Sequence, residues 1–217
     1  MPLLLKGLRY TILISIAAIA IALVIGTVLS VIRASVGNSR PARVVKAIIG
    51  IYISFVRGTP VLIQIYLIYQ AIAMVGPKFS PIVSGIIALS LNSGGFMAEI
   101  VRGGITAVPK GQIEAGKAIG LSGAKIWTKI ILPQVFRVVM PQLTSEFINV
   151  IKVSPMLSII AVVELTRTAQ RLVNNTYITI PFYVAIAVIY FIVCALLEQL
   201  VNYQKKKNSM KGGKAVS

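Results

Sequence analysis

The side chains able to do chemistry in this 217-residue chain are few, and the absences narrow the choice as much as the residues present. All five acids are glutamates (Glu99, Glu114, Glu146, Glu164 and Glu198), Cys194 is the only cysteine, and histidine and aspartate are missing. Ser-His-Asp catalysis, histidine-ligated zinc and a disulfide or thiolate metal site within one chain are therefore excluded by inventory. We expect no catalytic residue and no metal. The nearest approach to nucleotide chemistry is Gly111-x4-Gly116-Lys117-Ala118, one residue from a phosphate-binding loop. That loop needs a Ser or Thr after its lysine to hold magnesium, and a strand ahead of it. Ala118 has no hydroxyl, and Pro109 and an apolar run precede the loop. Any ATP hydrolysis that drives this protein belongs to another chain.

The elements that must position the remaining polar residues are membrane spans. With 57% hydrophobic residues, 12% charged and a mean hydropathy of +0.88, the chain has too little charge to cover a soluble surface. Residues 11–32 form an apolar run near the 20 or so needed to cross a bilayer and longer than a signal-peptide core, so a retained helix is expected. The stretch 44–75 is too long for one straight span, and Arg57-Gly58-Thr59-Pro60 interrupts it. We expect an interfacial first part and a crossing over 61–75, then an outside boundary at Gly76-Pro77-Lys78. Further spans are expected over 81–101, 134–151 and 181–201. A break is expected near Lys152-Val153-Ser154-Pro155, and 156–163 reads as a short helix dipping into protein.

The charge fits this layout. Of the 22 Lys and Arg residues, 15 fall in the segments 33–46, 102–137 and 205–214. That is the positive-inside pattern, which explains the net charge of +17 better than nucleic-acid binding does. It implies an N-terminus outside and a C-terminus inside. Residues 1–204 read as one all-α integral membrane domain of about five transmembrane helices. Residues 205–217 read as a basic cytoplasmic tail, expected to be disordered.

One polar stretch between spans carries a recognisable pattern. Glu114-Ala115-Gly116, then three residues, Gly120, nine residues and Ile130-x-Leu132-Pro133 resembles the EAA loop of the permease subunits of binding-protein-dependent ABC importers. Gly116 stands where that family usually has alanine, a change costing a helix about 1 kcal/mol. The likeness extends to Phe55-Val56-Arg57-Gly58-Thr59-Pro60 with Gln64, to Asn92-Ser93-Gly94 followed by Ala98 to Gly104, and to Ser158-Ile159-Ile160 before Glu164-Leu165-Thr166. These segments resemble the polar amino-acid permeases of the His/Glu/Gln/Arg/opine branch, most of all the arginine permeases. Lys152-Val153-Ser154-Pro155 departs from the pattern.

The resemblance implies a type I ABC importer permease fold with a cytoplasmic coupling helix inside the loop 103–133. It implies a second permease copy or a relative, two cytoplasmic ATPase subunits that bind the ATP and magnesium, and an external substrate-binding protein, all in a bacterial inner membrane. No cofactor is expected in this chain. Glu114, Ala115, Gly116, Ile119, Gly120 and Leu121 are the candidate ATPase-coupling residues. Ile113, Ala115, Ala118 and Ile119 could give that helix an apolar docking face, with Gly120 and Gly123 as terminators. A helix resting on anionic lipid is the alternative.

The substrate question rests on charge at membrane depth. Glu99 and Arg102 have the i,i+3 spacing of a structural pair, Glu114 lies in the loop and Glu198 near Lys205. Glu146 and Glu164 remain. Glu164 is expected to accept the side-chain cation of arginine, lysine or histidine; pairing with Arg167 or Arg171 is the alternative. Asn92, Ser93, Lys152 and Ser154 are candidates for the amino-acid end, with Met156 and Gln70 as further contacts. Asn92, amid small residues, could equally be a helix-packing contact, and Gln70 with Tyr66 and Tyr69 could be ordinary packing. The competing functions are a secondary transporter or channel with no ATPase, for which no internal repeat is visible, and a membrane scaffold with no path.

Overall fold

The computed structural model describes residues 2–75 and 79–212, and the boundary expected at Gly76-Pro77-Lys78 lies outside them. These residues are helical nearly throughout. Helix α1 (Pro2–Ser35) is followed by α2 (Arg40–Gly58), α3 (Val61–Val75), α4 (Pro81–Ala107) and the short α5 (Lys110–Ala118). A three-residue turn, α6 (Gly123–Lys125), leads through a π-helical segment (Ile126–Ile131) into α7 (Leu132–Val153). A 3-10 segment (Ser154–Ile160), α8 (Leu165–Thr176) and α9 (Ile180–Gly212) complete the order.

Helix α4 is the centre of the bundle. Of its most apolar window 61% is buried, against 11% for α9, which lies at the edge. Helix α1 reaches α4 through small residues four apart: Ala18, Ala22, Gly26 and Ser30 are all buried, while Leu13, Ile16, Val24 and Val28 point outward. A Cβ on Gly26 would lie 2.7 Å from Met97 Cβ and 2.8 Å from the Ala98 backbone nitrogen, so only glycine allows this approach. Ile14 packs with Ala88 and Leu89 towards one end, and Arg33 meets Glu99 towards the other. The two helices therefore run parallel, and the chain must cross back between them.

That return is made by α2 and α3, bent by 118° at Thr59 and Pro60. Alone, the 15 residues of α3 reach about 22 Å, short of a ~30 Å hydrocarbon layer. Four runs are long and apolar enough to cross (α1, α4, Gly123–Ile160 and the Ile180–Val201 part of α9), and the bent pair makes a fifth.

One expectation needs correction. The chain does not break at Lys152-Val153-Ser154-Pro155; α7 tightens there into the 3-10 segment. Pro155 has no N–H for an α-type bond to Ile151, and the Ser154 hydroxyl donates to that carbonyl at 2.8 Å instead. The true turn comes at Ala161, with φ 61°. Helix α9 is described as far as Gly212, within the stretch 205–217 expected as a tail. Residues 213–217 of that tail lie outside the described residues.

Candidate functional site: a polar bundle centre and a coupling loop

The Arg57-Gly58-Thr59-Pro60 bend leaves the last carbonyls of α2 without helical partners. Gln64, buried one turn into α3, supplies them: its amide nitrogen lies 2.9 Å from the Val56 carbonyl, 3.1 Å from that of Thr59 and 2.7 Å from Thr59 Oγ1. The amide oxygen of the same side chain accepts a hydrogen bond from Asn92 Nδ2 at 2.9 Å. Asn92 is thus the anchor of a bend, satisfied by protein. Its neighbours act likewise, since Gly94 and Gly95 leave room for Ile25 and Tyr52 and for Val56. The Tyr52 hydroxyl donates to the Leu91 carbonyl.

Ser93, also buried, lies beside Glu146 of α7. Glu146 is 8% exposed; Asn149 donates weakly to one of its oxygens at 3.4 Å, and the other, Oε1, has no protein partner. Among the described residues Glu146 Oε1 therefore retains bonding capacity within the bundle, as do the buried hydroxyls of Ser15, Thr27 and Ser84.

Glu164 is different. It is fully buried at the N-cap of α8, where its carboxyl accepts the backbone N–H groups of Thr166 at 2.8 Å and Arg167 at 2.7 Å. The Tyr190 hydroxyl donates to it at 3.0 Å, and Thr11 Oγ1 stands 3.5 Å away while accepting the Leu165 N–H at 3.1 Å. Both oxygens have partners, and neither the Arg167 nor the Arg171 guanidinium is among them. In this conformation Glu164 caps a helix and presents no open edge to a guanidinium.

The other candidate contacts do not converge. Ser154 is buried and bonded to its own helix, Met156 is 37% exposed, and Gln70 is exposed on α3 with its amide on the Tyr66 hydroxyl at 3.1 Å. Lys152 is exposed and lines a cavity of about 210 Å³ with Glu198 and Tyr190, between α7 and α9.

The loop after α4 forms a compact joint. At the end of α5 the Leu121 N–H bonds the Gly116 carbonyl and the Gly120 N–H bonds that of Lys117, both at 3.0 Å, with Gly120 at φ +74°. This is a Schellman termination, and it requires a residue tolerant of left-handed backbone. Gly123 opens α6 and so does not serve as a second terminator. Gly116 is the one buried residue of α5; a Cβ there would meet Ile130 Cδ1 at 3.0 Å and Ile126 Cγ1 at 3.1 Å. Ile113 and Leu121 are turned into the chain's own apolar cluster with Ile126, Ile131 and Val135. Glu114, Ala115, Ala118 and Ile119 face outward, Ile119 at 75% exposure. The free face thus lacks Ile113, which the sequence had placed on it.

The family model for the inner membrane component of binding-protein-dependent transport systems matches residues 26–209. The chain belongs to that family. The permease is 38% identical to the L-cystine transport system permease protein TcyB of Bacillus subtilis, over 91% of this chain and 82% of that one. It is 37% identical to a putative glutamine transport system permease protein GlnP of Rickettsia conorii, over 93% and 91% of the two. A crystal structure of an amino acid ABC transporter with histidines superposes with a TM-score of 0.82 at 32% identity, covering 95% and 94% of the chains. The inward facing MetNI methionine ABC transporter shares the fold, with a TM-score of 0.73 at 21% identity. The permease is thus an all-helical membrane subunit of an amino-acid ABC importer with the type I fold.

Sequence reasoning missed three partners in the permease. Arg33 bonds Glu99 at 3.0 Å alongside the expected Arg102, which makes two contacts of 3.0 and 2.8 Å. Thr11 and Tyr190 meet Glu164 from 153 and 26 residues away. No local spacing signals such long-range contacts.

Proposed function

We propose that this chain translocates polar amino acids by alternating access, as one of two permease subunits driven by two cytoplasmic ATPase subunits and fed by an external binding protein. ATP and magnesium are held by the ATPases, and the complex sits in a bacterial inner membrane with the permease N-terminus outside and C-terminus inside. The observation that carries this reading is α5, a rigidly terminated helix whose outward face ends in Ile119 at 75% exposure. An apolar side chain so placed at the mouth of a membrane bundle calls for a protein cover. ATPase binding acts on transport only through its differential affinity for the two permease states.

The substrate class is supported by family membership and by the relatives' names, cystine and glutamine. A basic substrate such as arginine, lysine or histidine is a second reading. Its first support, Glu164, is engaged at a helix cap; what favours it now is Glu146, with one carboxyl oxygen free beside Ser93.

Reconstitution in liposomes with the ATPase and the external binding protein tests both. ATP-dependent uptake of a polar amino acid is expected from a panel of cystine, glutamine, histidine and arginine. Uptake by the isolated chain without ATPase would establish the secondary-transporter alternative. The basic reading requires Glu146→Gln to lose arginine and histidine uptake selectively; an unchanged panel would remove it.

A further inference from the structure

We propose that the membrane face opposite the coupling helix carries a binding site for the phosphate headgroup of an anionic phospholipid, built by Lys6 of α1 and Arg171 of α8. The placement follows from the parallel pair α1 and α4. The C-terminal end of α4 leads into α5, so the N-terminal end of α1 lies at the far end of the bundle, packed on α8 at Leu165 and Ala169. Two adjoining cavities open there, of about 280 and 360 Å³, sharing Lys6, Tyr10 and Val163.

The lining has the chemistry of an amphiphilic anion site. Lys6 and Arg171 both line the first cavity, with the Tyr10 hydroxyl and Asn175 amide as further hydrogen-bond donors. No acid lines either cavity, and among the described residues neither cation belongs to an ion pair. Glu164, the carboxyl in the adjoining α8 cap, lines neither cavity and forms no ion pair with either cation; its oxygens face the α8 N–H groups and the Tyr190 hydroxyl. Lys6 and Arg171 bordering one cavity supply an ammonium and a guanidinium, donors that suit a phosphate diester through charge-assisted hydrogen bonds.

The surroundings favour a lipid over a free ion. Leu3 and Leu172 line the first cavity and Ile82 and Val162 the second, walls that suit glycerol and acyl carbons. Leu3 is itself 54% exposed, so the apolar wall of the first cavity reaches the surface. Tyr10 lines both cavities, and aromatic residues are enriched at membrane interfaces.

The test uses the full-length chain purified with its partner subunits, in nanodiscs of phosphatidylcholine doped with phosphatidylglycerol, with retained lipid counted by native mass spectrometry. Preferential retention of phosphatidylglycerol is expected. Lys6→Gln and Arg171→Gln should each weaken it about 5-fold and the double variant about 30-fold, from the usual contribution of one cation at an anionic surface. Lys6→Arg with Arg171→Lys should retain it. Should the neutral variants fail to assemble, competition on the unmodified complex decides: soluble glycerol phosphate or inorganic phosphate displacing the lipid would show a free-anion site and overturn the proposal. Unchanged phosphatidylglycerol retention in the double variant would also overturn it. So would unchanged lipid retention with lost binding of the external binding protein, which would make this a protein-docking patch.

Discussion

Gln64 and Asn92 share one hydrogen bond of 2.9 Å, through which α4 holds the bend between α2 and α3. Replacing Asn92 with Leu leaves the Gln64 carbonyl oxygen without its partner, and replacing Gln64 with Leu strips the donor from the Val56 and Thr59 carbonyls. Each single change should cost about 1–3 kcal/mol, the penalty of an unsatisfied buried polar group. In thermal unfolding of the detergent-solubilised complex, the double variant should lose less than the sum of the singles. Strict additivity, or an Asn92→Leu complex of full stability with altered substrate preference, would return Asn92 to the substrate path.

Glu164→Gln should act on stability, with substrate choice unaffected. An amide presents one acceptor where two backbone N–H groups and the Tyr190 hydroxyl now converge on a carboxyl. A loss of roughly 1–2 kcal/mol is expected from the weakened cap. Uptake across the amino-acid panel, normalised to folded complex, should keep its order; a selective loss of basic substrates would contradict the geometry.

The two glycines of the coupling loop should respond differently to alanine. Gly120→Ala forces a side chain into φ +74° and should cost about 1 kcal/mol or more. At Gly116 the new methyl meets only the ends of Ile126 and Ile130, at 3.0 to 3.1 Å, while the helix gains up to about 1 kcal/mol in propensity. Near-neutral stability is therefore expected for Gly116→Ala. Substrate-stimulated ATPase activity should fall in Gly120→Ala and hold in Gly116→Ala; equal effects would mean the Schellman termination is not what sets the joint.

Gly26→Ala places a methyl against Met97 and the α4 backbone, which cannot yield as a side-chain tip can. Forcing α1 away from α4 should cost about 1–3 kcal/mol, as overpacking does. Thermal unfolding checks this, with Gly50→Ala, which meets nothing within 4 Å, as the control.

The spans and the coupling loop were legible because their signals are local: apolar length, flanking cations, a fixed spacing of small and acidic residues. Arg57-Gly58-Thr59-Pro60 likewise announced the bend through proline's missing donor. The role of Glu164 was not legible. It depends on the turn at Ala161, which swings α8 round so that the carboxyl meets its own helix start, and on Thr11, 153 residues away. An acid in an apolar segment reads as functional unless its hydrogen bonds are known, and here they are long-range or made by a helix start that could not be placed in advance. The α1 packing stripe was hidden in a different way. Ala18, Ala22 and Gly26 look like ordinary members of an apolar run, and only the proximity of Met97 and Ala98 reveals what their small size permits.

The manner in which α5 ends has a mechanical corollary. Its last carbonyls are tied by the Gly120 and Leu121 N–H groups, and its buried side rests on Ile126 and Ile130, which lie in the π-helical segment at the root of α7. A load applied at Ile119 therefore meets a tight joint rather than slack chain, and reaches the base of a spanning helix within one layer of side chains. The joint between α5 and the base of α7 is thus built wholly from this chain's own residues.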